Sequence, residues 1–267
     1  MKPYWGIVTD EVCADPLEAL AAVADWGLHA VEIRGCGHGR RVPDLEKPEA
    51  EALLARTIQL GLQISALSPG TWKCGLRDTE AADQALRFSR TLDLAERLGA
   101  KRIITFAVKR SPDDDAATYS QVLDHLGQMS LEAGQRGLTL CIENERGWWA
   151  DTEDAIMTLL RDLSHTGLRL NFDAGNFVDA GGTANPETYR RLLPWIENIH
   201  LKDVCTQDGR HRWCLLGEGQ VGWEKLLPAM LRSNRQIPMS IETHCTPMLE
   251  NSLKNRRFLR QFEGGET

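Results

Sequence analysis

The chain has no long apolar run, so no segment reads as a helix able to span a bilayer, and its first residues, Met1-Lys2-Pro3-Tyr4-Trp5, lack the apolar stretch of a secretion signal. Its seven cysteines (13, 36, 74, 141, 205, 214 and 245) are odd in number and never spaced as Cys-x-x-Cys. That argues against a disulfide framework and for reduced thiols, so a cytosolic protein is expected. Positive charge is in deficit: 31 Lys and Arg against 38 Asp and Glu leave a net charge of −7. Broad binding to nucleic acid or to an anionic membrane is therefore disfavoured, although a local basic cluster can still hold an anionic substrate. No Gly-x-Gly-x-x-Gly follows the first strand-like run, which weighs against an open dinucleotide-binding sheet. No phosphate-cradling glycine loop is evident either, so a non-phosphorylated substrate is expected. Linkers and low-complexity tracts are missing, and 42% hydrophobic with 26% charged residues is ordinary for a folded globule. One domain over 1–267 is expected, close to the size of a single (β/α)₈ barrel.

What is present is alternation. Short β-rich runs at 4–9, 30–34, 63–68, 102–106, 138–143, 168–173, 196–201 and 238–242 predict strands. Between them, 16–26, 47–60, 79–98, 115–135, 152–163, 186–195, 222–233 and 248–262 carry apolar residues at helical spacing. In the third of these, Leu86, Leu92, Leu94, Ala95 and Leu98 are expected to face inward and Arg87, Arg90, Asp93 and Arg97 outward. Gly27, Gly61, Gly99, Gly137 and Gly167 fall just after helical stretches, where a left-handed cap is expected. Eight strand-helix units predict a closed (β/α)₈ TIM barrel of the α/β class. The stretch 203–221 reads as a long irregular loop of the kind that acts as a lid or binding loop.

Four residues, Glu143, Asp173, His200 and Glu242, each stand at the downstream end of such a run, with gaps of 30, 27 and 42 residues. Parallel barrel strands all end at one face, so these side chains are expected to converge there as a divalent-metal site. Three carboxylates and one imidazole make an oxygen-rich shell that suits Mn²⁺ first and Mg²⁺ next, with Co²⁺ and Zn²⁺ also accommodated. Histidines 29, 38, 125 and 165 fall outside the pattern and read as structural or solvated.

The order Glu143-Asn144, Asp173-x-Gly175-Asn176, His200-x-Lys202-Asp203, Gly217-x-Gly219 and Ile241-Glu242, with Asp10-Glu11 and Val31-Glu32-Ile33-Arg34 upstream, resembles the xylose isomerase-like superfamily of sugar phosphate isomerases and epimerases. The resemblance covers essentially the whole chain. It implies one divalent cation held by Glu143, Asp173, His200 and Glu242, with Glu143 and Glu242 also moving protons, and homodimers or homotetramers as common assemblies. Removing a proton next to a carbonyl leaves an enediolate, whose charge a cation can hold while two carboxylates serve opposite faces of the carbon. The expected activity is isomerisation or epimerisation of a small ketose, keto acid or related polyol. Its nearest rival is elimination of water from a keto-inositol or similar β-hydroxy ketone. A DNA phosphodiesterase would need further histidines where the chain has Ser68-Pro69 and Phe106-Ala107, and a non-catalytic sugar-binding barrel would not need two metal-linked glutamates.

Expected substrate contacts are Asn176, where epimerase relatives often carry histidine, together with Lys202, Arg210 and Arg212 as positive charge above the metal. Glu145, Arg34, Glu11, Lys73 and Trp148 complete the set, the indole as a wall for sugar C–H surfaces.

Overall fold

The computed structural model describes residues 3–233 and 235–263; the outermost residues of the expected 1–267 domain lie outside the described residues. Eight parallel strands close into a barrel: β1 (Trp5–Val8), β2 (Ala30–Ile33), β3 (Gln63–Leu67), β4 (Arg102–Phe106), β5 (Thr139–Glu143), β6 (Arg169–Asp173), β7 (Ile196–Leu201) and β10 (Met239–Ile241). Around the ring they run β1, β10, β7, β6, β5, β4, β3, β2. Eight parallel strands with no free edge explain why these runs are Val-, Ile- and Leu-rich and buried almost throughout. Outside lie α1 (Pro16–Asp25), α2 (Lys47–Gln59), α3 (Ala81–Leu98), α4 (Ala116–Gln135), α5 (Glu153–Asp162), α7 (Pro186–Leu192), α8 (Trp223–Arg232) and α9 (Met248–Leu259). No helix among the described residues is long and apolar enough to cross a membrane.

The five glycines expected as left-handed caps all have positive φ, from 67° at Gly61 to 85° at Gly167. In α3, Leu92, Leu94, Ala95 and Leu98 are buried as expected, whereas Leu86 is exposed. Leu86 sits six residues before Leu92, and the barrel-facing stripe does not extend around the helix that far.

Two departures from the expected elements lie at the strand C-terminal face. A short helix, α6 (Ala174–Asp179), starts directly after β6. The stretch 203–221 is not irregular throughout, for β8 (Asp203–Gln207) and β9 (Arg210–Cys214) form an antiparallel hairpin. Gln207 pairs with Arg210 across a two-residue turn in which Asp208 and Gly209 have φ of 52° and 71°. Positive φ at both turn residues matches the right-handed twist of the strands, and Asp-Gly is the pair that adopts it at least cost. The remainder of the loop is tied down by Asp203. Its Oδ1 accepts from Val204 N (2.9 Å) and Val221 N (3.1 Å), and its Oδ2 accepts from Gly217 N (3.0 Å) and Gly219 N (3.2 Å).

Candidate metal centre

Glu143, Asp173, His200 and Glu242 come from β5, β6, β7 and the end of β10, four consecutive staves of the barrel. All four are buried, and each offers one ligand atom within 4.8 Å of the others. Asp173 is oriented by its own helix start. Its Oδ1 caps α6 by accepting from Asn176 N at 2.7 Å, which leaves Oδ2 turned into the cluster. The Asp-Ala-Gly-Asn sequence follows from this geometry, because a Cβ on Gly175 would sit 2.9 Å from Lys202 O. Asn144 brackets the Asp173 backbone, donating to its carbonyl and accepting from its N–H, both at 2.9 Å.

The imidazole of His200 is clamped from behind. Nε2 lies 2.8 Å from Glu32 Oε1, while Nδ1 faces Glu242 (3.3 Å), Glu143 (3.5 Å) and Asp173 (3.7 Å). Glu32 is fully buried on β2 and also accepts from Ser68 Oγ and from Asn198 Nδ2 (3.1 Å). Asn198 Nδ2 donates to Asn171 Oδ1 at 2.9 Å, and Asn171 Nδ2 reaches Glu143 Oε2 at 3.2 Å. A polar layer thus spans the barrel interior beneath the cluster. The register shifts by one residue just before Glu32 and just before Asn171, the local distortion by which a bulge re-aims a side chain.

Charge in the cluster is heavily coupled. Burial opposes the imidazolium of His200, but Glu32, Glu242 and Glu143 outweigh it and hold its pKa well above the usual histidine range. Burial likewise disfavours ionised Glu242, yet Lys202, His244 and His200 keep its carboxyl well below the carboxylate range. Lys202 is buried with Nζ 2.8 Å from both Asp173 Oδ2 and Glu242 Oε2. Arg34 binds Asp10 (3.0 Å), Glu11 (2.7 Å) and Glu242. Glu145, on the loop after β5, is pushed up to about 7 by burial and by Glu143.

The donor set fits a divalent cation. Three carboxylates converge with an imidazole whose far nitrogen is held by a carboxylate, the arrangement that orients a metal-ligating histidine. Among the described residues Asp173 Oδ2 is buried without a well-formed hydrogen bond, and Lys202 lies beside it as an ion-pair partner.

Above the cluster is a cavity of about 230 Å³. Asn176, Lys202, Glu145, Arg34 and Lys73 all line it, and Asn176 Nδ2 donates to Glu143 Oε1 at 3.0 Å. Glu11 sits behind Arg34 rather than on the cavity wall. Arg210 and Arg212 are exposed on β9 outside the lining, and Trp148 packs at a tilt against Phe106 (5.8 Å between ring centroids) and donates to Trp72 O, so neither arginine nor the indole lines the cavity. The hairpin instead contributes Trp213, whose ring lies 4.7 Å from Lys202 Nζ.

Glu32, Asn171 and Asn198 were not assigned from sequence, and neither was His244, which lies 3.4 Å from Glu242 and 3.5 Å from Glu11. A signal for the first three is present. Each is a polar residue inside a buried strand, two before Arg34, Asp173 and His200 respectively, hence on the same inward face.

A family model described as the xylose isomerase-like TIM barrel matches residues 20–262. A 3-dehydroshikimate dehydratase of Bacillus anthracis is 25% identical over 133 residues, 46% of this chain and 47% of that protein, so the match spans about half the relative's length. The solved structure of AsbF, the probable 3-DHS dehydratase of B. anthracis, superposes with a TM-score of 0.82 at 17% identity, covering 97% of this chain and 99% of that one. The 3-keto-D-glucoside 4-epimerase YcjR of E. coli gives 0.78 at 14% identity, over 97% and 100%. A xylose isomerase-like protein of Mycobacterium smegmatis in complex with magnesium gives 0.74 at 19%, over 97% and 95%. At such identities the solved structures show the shared fold.

Proposed function

Because the chain belongs to the xylose isomerase-like TIM barrel family, we propose that it is a divalent-metal-dependent isomerase or epimerase of a small ketose, keto acid or related polyol. The observation that carries this reading is the convergence of Glu143, Asp173, His200 and Glu242, of which Glu143, His200 and Glu242 line a cavity sized for a small molecule. A cation held there supplies positive charge against the oxyanion that develops as a proton leaves the carbon next to a carbonyl. Mn²⁺ is the ion best matched to the donors, with Mg²⁺ next.

The chain's own groups do the rest. Glu143 and Glu242 enter from strands on either side of β6 and β7, so a substrate carbon between them is open to a carboxylate on each face. Asn176 and Asn171 hold the two oxygens of Glu143, and Arg34 and Lys202 hold those of Glu242. Glu242 is therefore held ionised by two cations and Glu143 is held by neutral amides; in this reading each carboxylate takes up and returns a proton on its own face of the carbon. Burial excludes bulk water from both.

A second reading is favoured by the dehydratase relative: elimination of water from a β-hydroxy ketone, which begins with the same proton removal. One experiment tests both. Mn²⁺-loaded protein is incubated with ketoses and with 3-dehydroshikimate in D₂O. Deuterium next to the carbonyl with conserved molecular formula is the expected result for isomerisation. Loss of water with a new ultraviolet absorbance identifies elimination. Undiminished turnover after chelation would overturn the metal-dependent reading.

A further inference from the structure

We propose that the substrate carries an anionic group, a carboxylate or a phosphate, seated between Lys73 and Arg41 at the rim of the cavity, across from the metal-ligand candidates. The proposal rests on the catalytic reading above and adds the class of substrate it acts on. Its starting observation is an imbalance of charge pairing within one cavity. Arg34 is engaged by Asp10, Glu11 and Glu242, and Lys202 by Asp173 and Glu242, so the two deep cations are already saturated with carboxylates. Lys73 and Arg41 line the same cavity, and among the described residues neither side chain has a carboxylate within ion-pair distance.

Their placement is directional. The metal-ligand side chains occupy the β5, β6, β7 and β10 half of the mouth, whereas Arg41 and Lys73 stand on the loops after β2 and β3 in the other half. Lys73 is held at the wall, with Nζ 4.3 Å from the centroid of the Phe106 ring, a cation-π contact that restrains the ammonium without neutralising it. Arg41 is fixed at the backbone, pairing with Gly35 in an isolated bridge and donating its N–H to Asp44. Asp10, Glu143, Glu145 and Glu242 are the carboxyls on this cavity: Asp10 and Glu242 are engaged by Arg34, Glu143 accepts from Asn176, and Glu145, which feels the charge of Lys73, lies beyond ion-pair distance of it. A molecule with its carbonyl at the cluster therefore extends toward two unneutralised cations. An oxyanion is the group that answers both, and the guanidinium fork suits either a carboxylate or a phosphate.

The test is equilibrium binding to the Mn²⁺-loaded protein by calorimetry with two matched pairs: 3-dehydroshikimate against its methyl ester, and D-fructose 6-phosphate against D-fructose. The anionic member of one pair is expected to bind at least about tenfold more tightly than its neutral partner, less so at high salt. The discriminating pair identifies the group as carboxylate or phosphate. Lys73→Met and Arg41→Gln should each remove most of that discrimination and leave Mn²⁺ affinity unchanged. Equal affinities within both pairs, including no measurable binding by any of the four, overturn the proposal, as does discrimination that survives both substitutions. Deuterium exchange on a neutral ketose is the separate readout of the catalytic reading. It can succeed while the anion site fails.

Discussion

Glu32 does not line the cavity above the cluster, yet replacing it should weaken metal binding measurably. In Glu32→Gln one carboxylate oxygen becomes an amide NH₂. If the remaining oxygen stays on His200 Nε2 (2.8 Å in the parent), the NH₂ meets Asn198 Nδ2, which in the parent donates to Glu32 at 3.1 Å. Turning Asn198 over offers its Oδ1 to the new NH₂ but takes Nδ2 away from Asn171 Oδ1 (2.9 Å) to the side where, among the described residues, its own Oδ1 has no partner. If the amide is reversed, NH₂ meets the His200 N–H instead. Either way a buried donor loses its acceptor, at about 1–3 kcal/mol. The histidine also loses the negative charge that makes Nδ1 a better ligand. Removing such a carboxylate partner typically lowers metal affinity about 10–100-fold, equivalent to about 1.4–2.7 kcal/mol. The assay is Mn²⁺ titration at fixed pH against a competing chelator, with circular dichroism confirming that the variant is folded. Ser68→Ala, which removes only one hydroxyl from Glu32, should give a smaller loss. A folded Glu32→Gln protein that binds Mn²⁺ within twofold of the parent would refute the reasoning.

Three further outcomes are expected. Glu143→Gln and Glu242→Gln, assayed at saturating Mn²⁺, should each lower turnover by about 10² to 10⁴ and suppress solvent deuterium exchange, and near-normal turnover in both would move proton transfer to other groups. Asp203→Asn replaces an oxygen that two backbone N–H groups share, so stability should fall by about 2–4 kcal/mol and amide exchange should rise across 203–221; unchanged protection there would show that the hairpin is anchored otherwise. His125, edge-on to Trp72 with ring centroids 3.9 Å apart, is pushed down to about 4 by burial, so the fold favours the neutral ring. Its contribution is therefore intact above pH 6.5 and is lost as pH falls toward 4, by ~2 kcal/mol after allowing for partial solvent access. His125→Phe should reduce the acid sensitivity of denaturant stability across that window, and an unchanged pH dependence would exclude the ring as its source.

The eight-unit alternation, the cap glycines and the four ligand candidates were legible in the chain because each rests on a local rule. Strand residues alternate in facing, glycine tolerates positive φ, and parallel strands deliver their ends to one mouth. The hairpin carried a local signal as well, in Asp208-Gly209, but a long segment between strand and helix reads as loop until its two halves are seen to pair. Other features had no local rule behind them. Glu32 lies 168 positions from His200 in sequence, and no periodicity says which buried polar residues will meet across a barrel. Whether a cation serves substrate or is already neutralised is also decided in three dimensions. Arg34 and Lys73 both follow apolar strands, yet one is bound by three carboxylates and the other by none among the described residues. Sequence determined which side chains arrive at the strand ends, since that depends on chain order and strand polarity. Barrel closure decided which of them touch, because the shear between neighbouring strands and the two register shifts set every distance across the mouth.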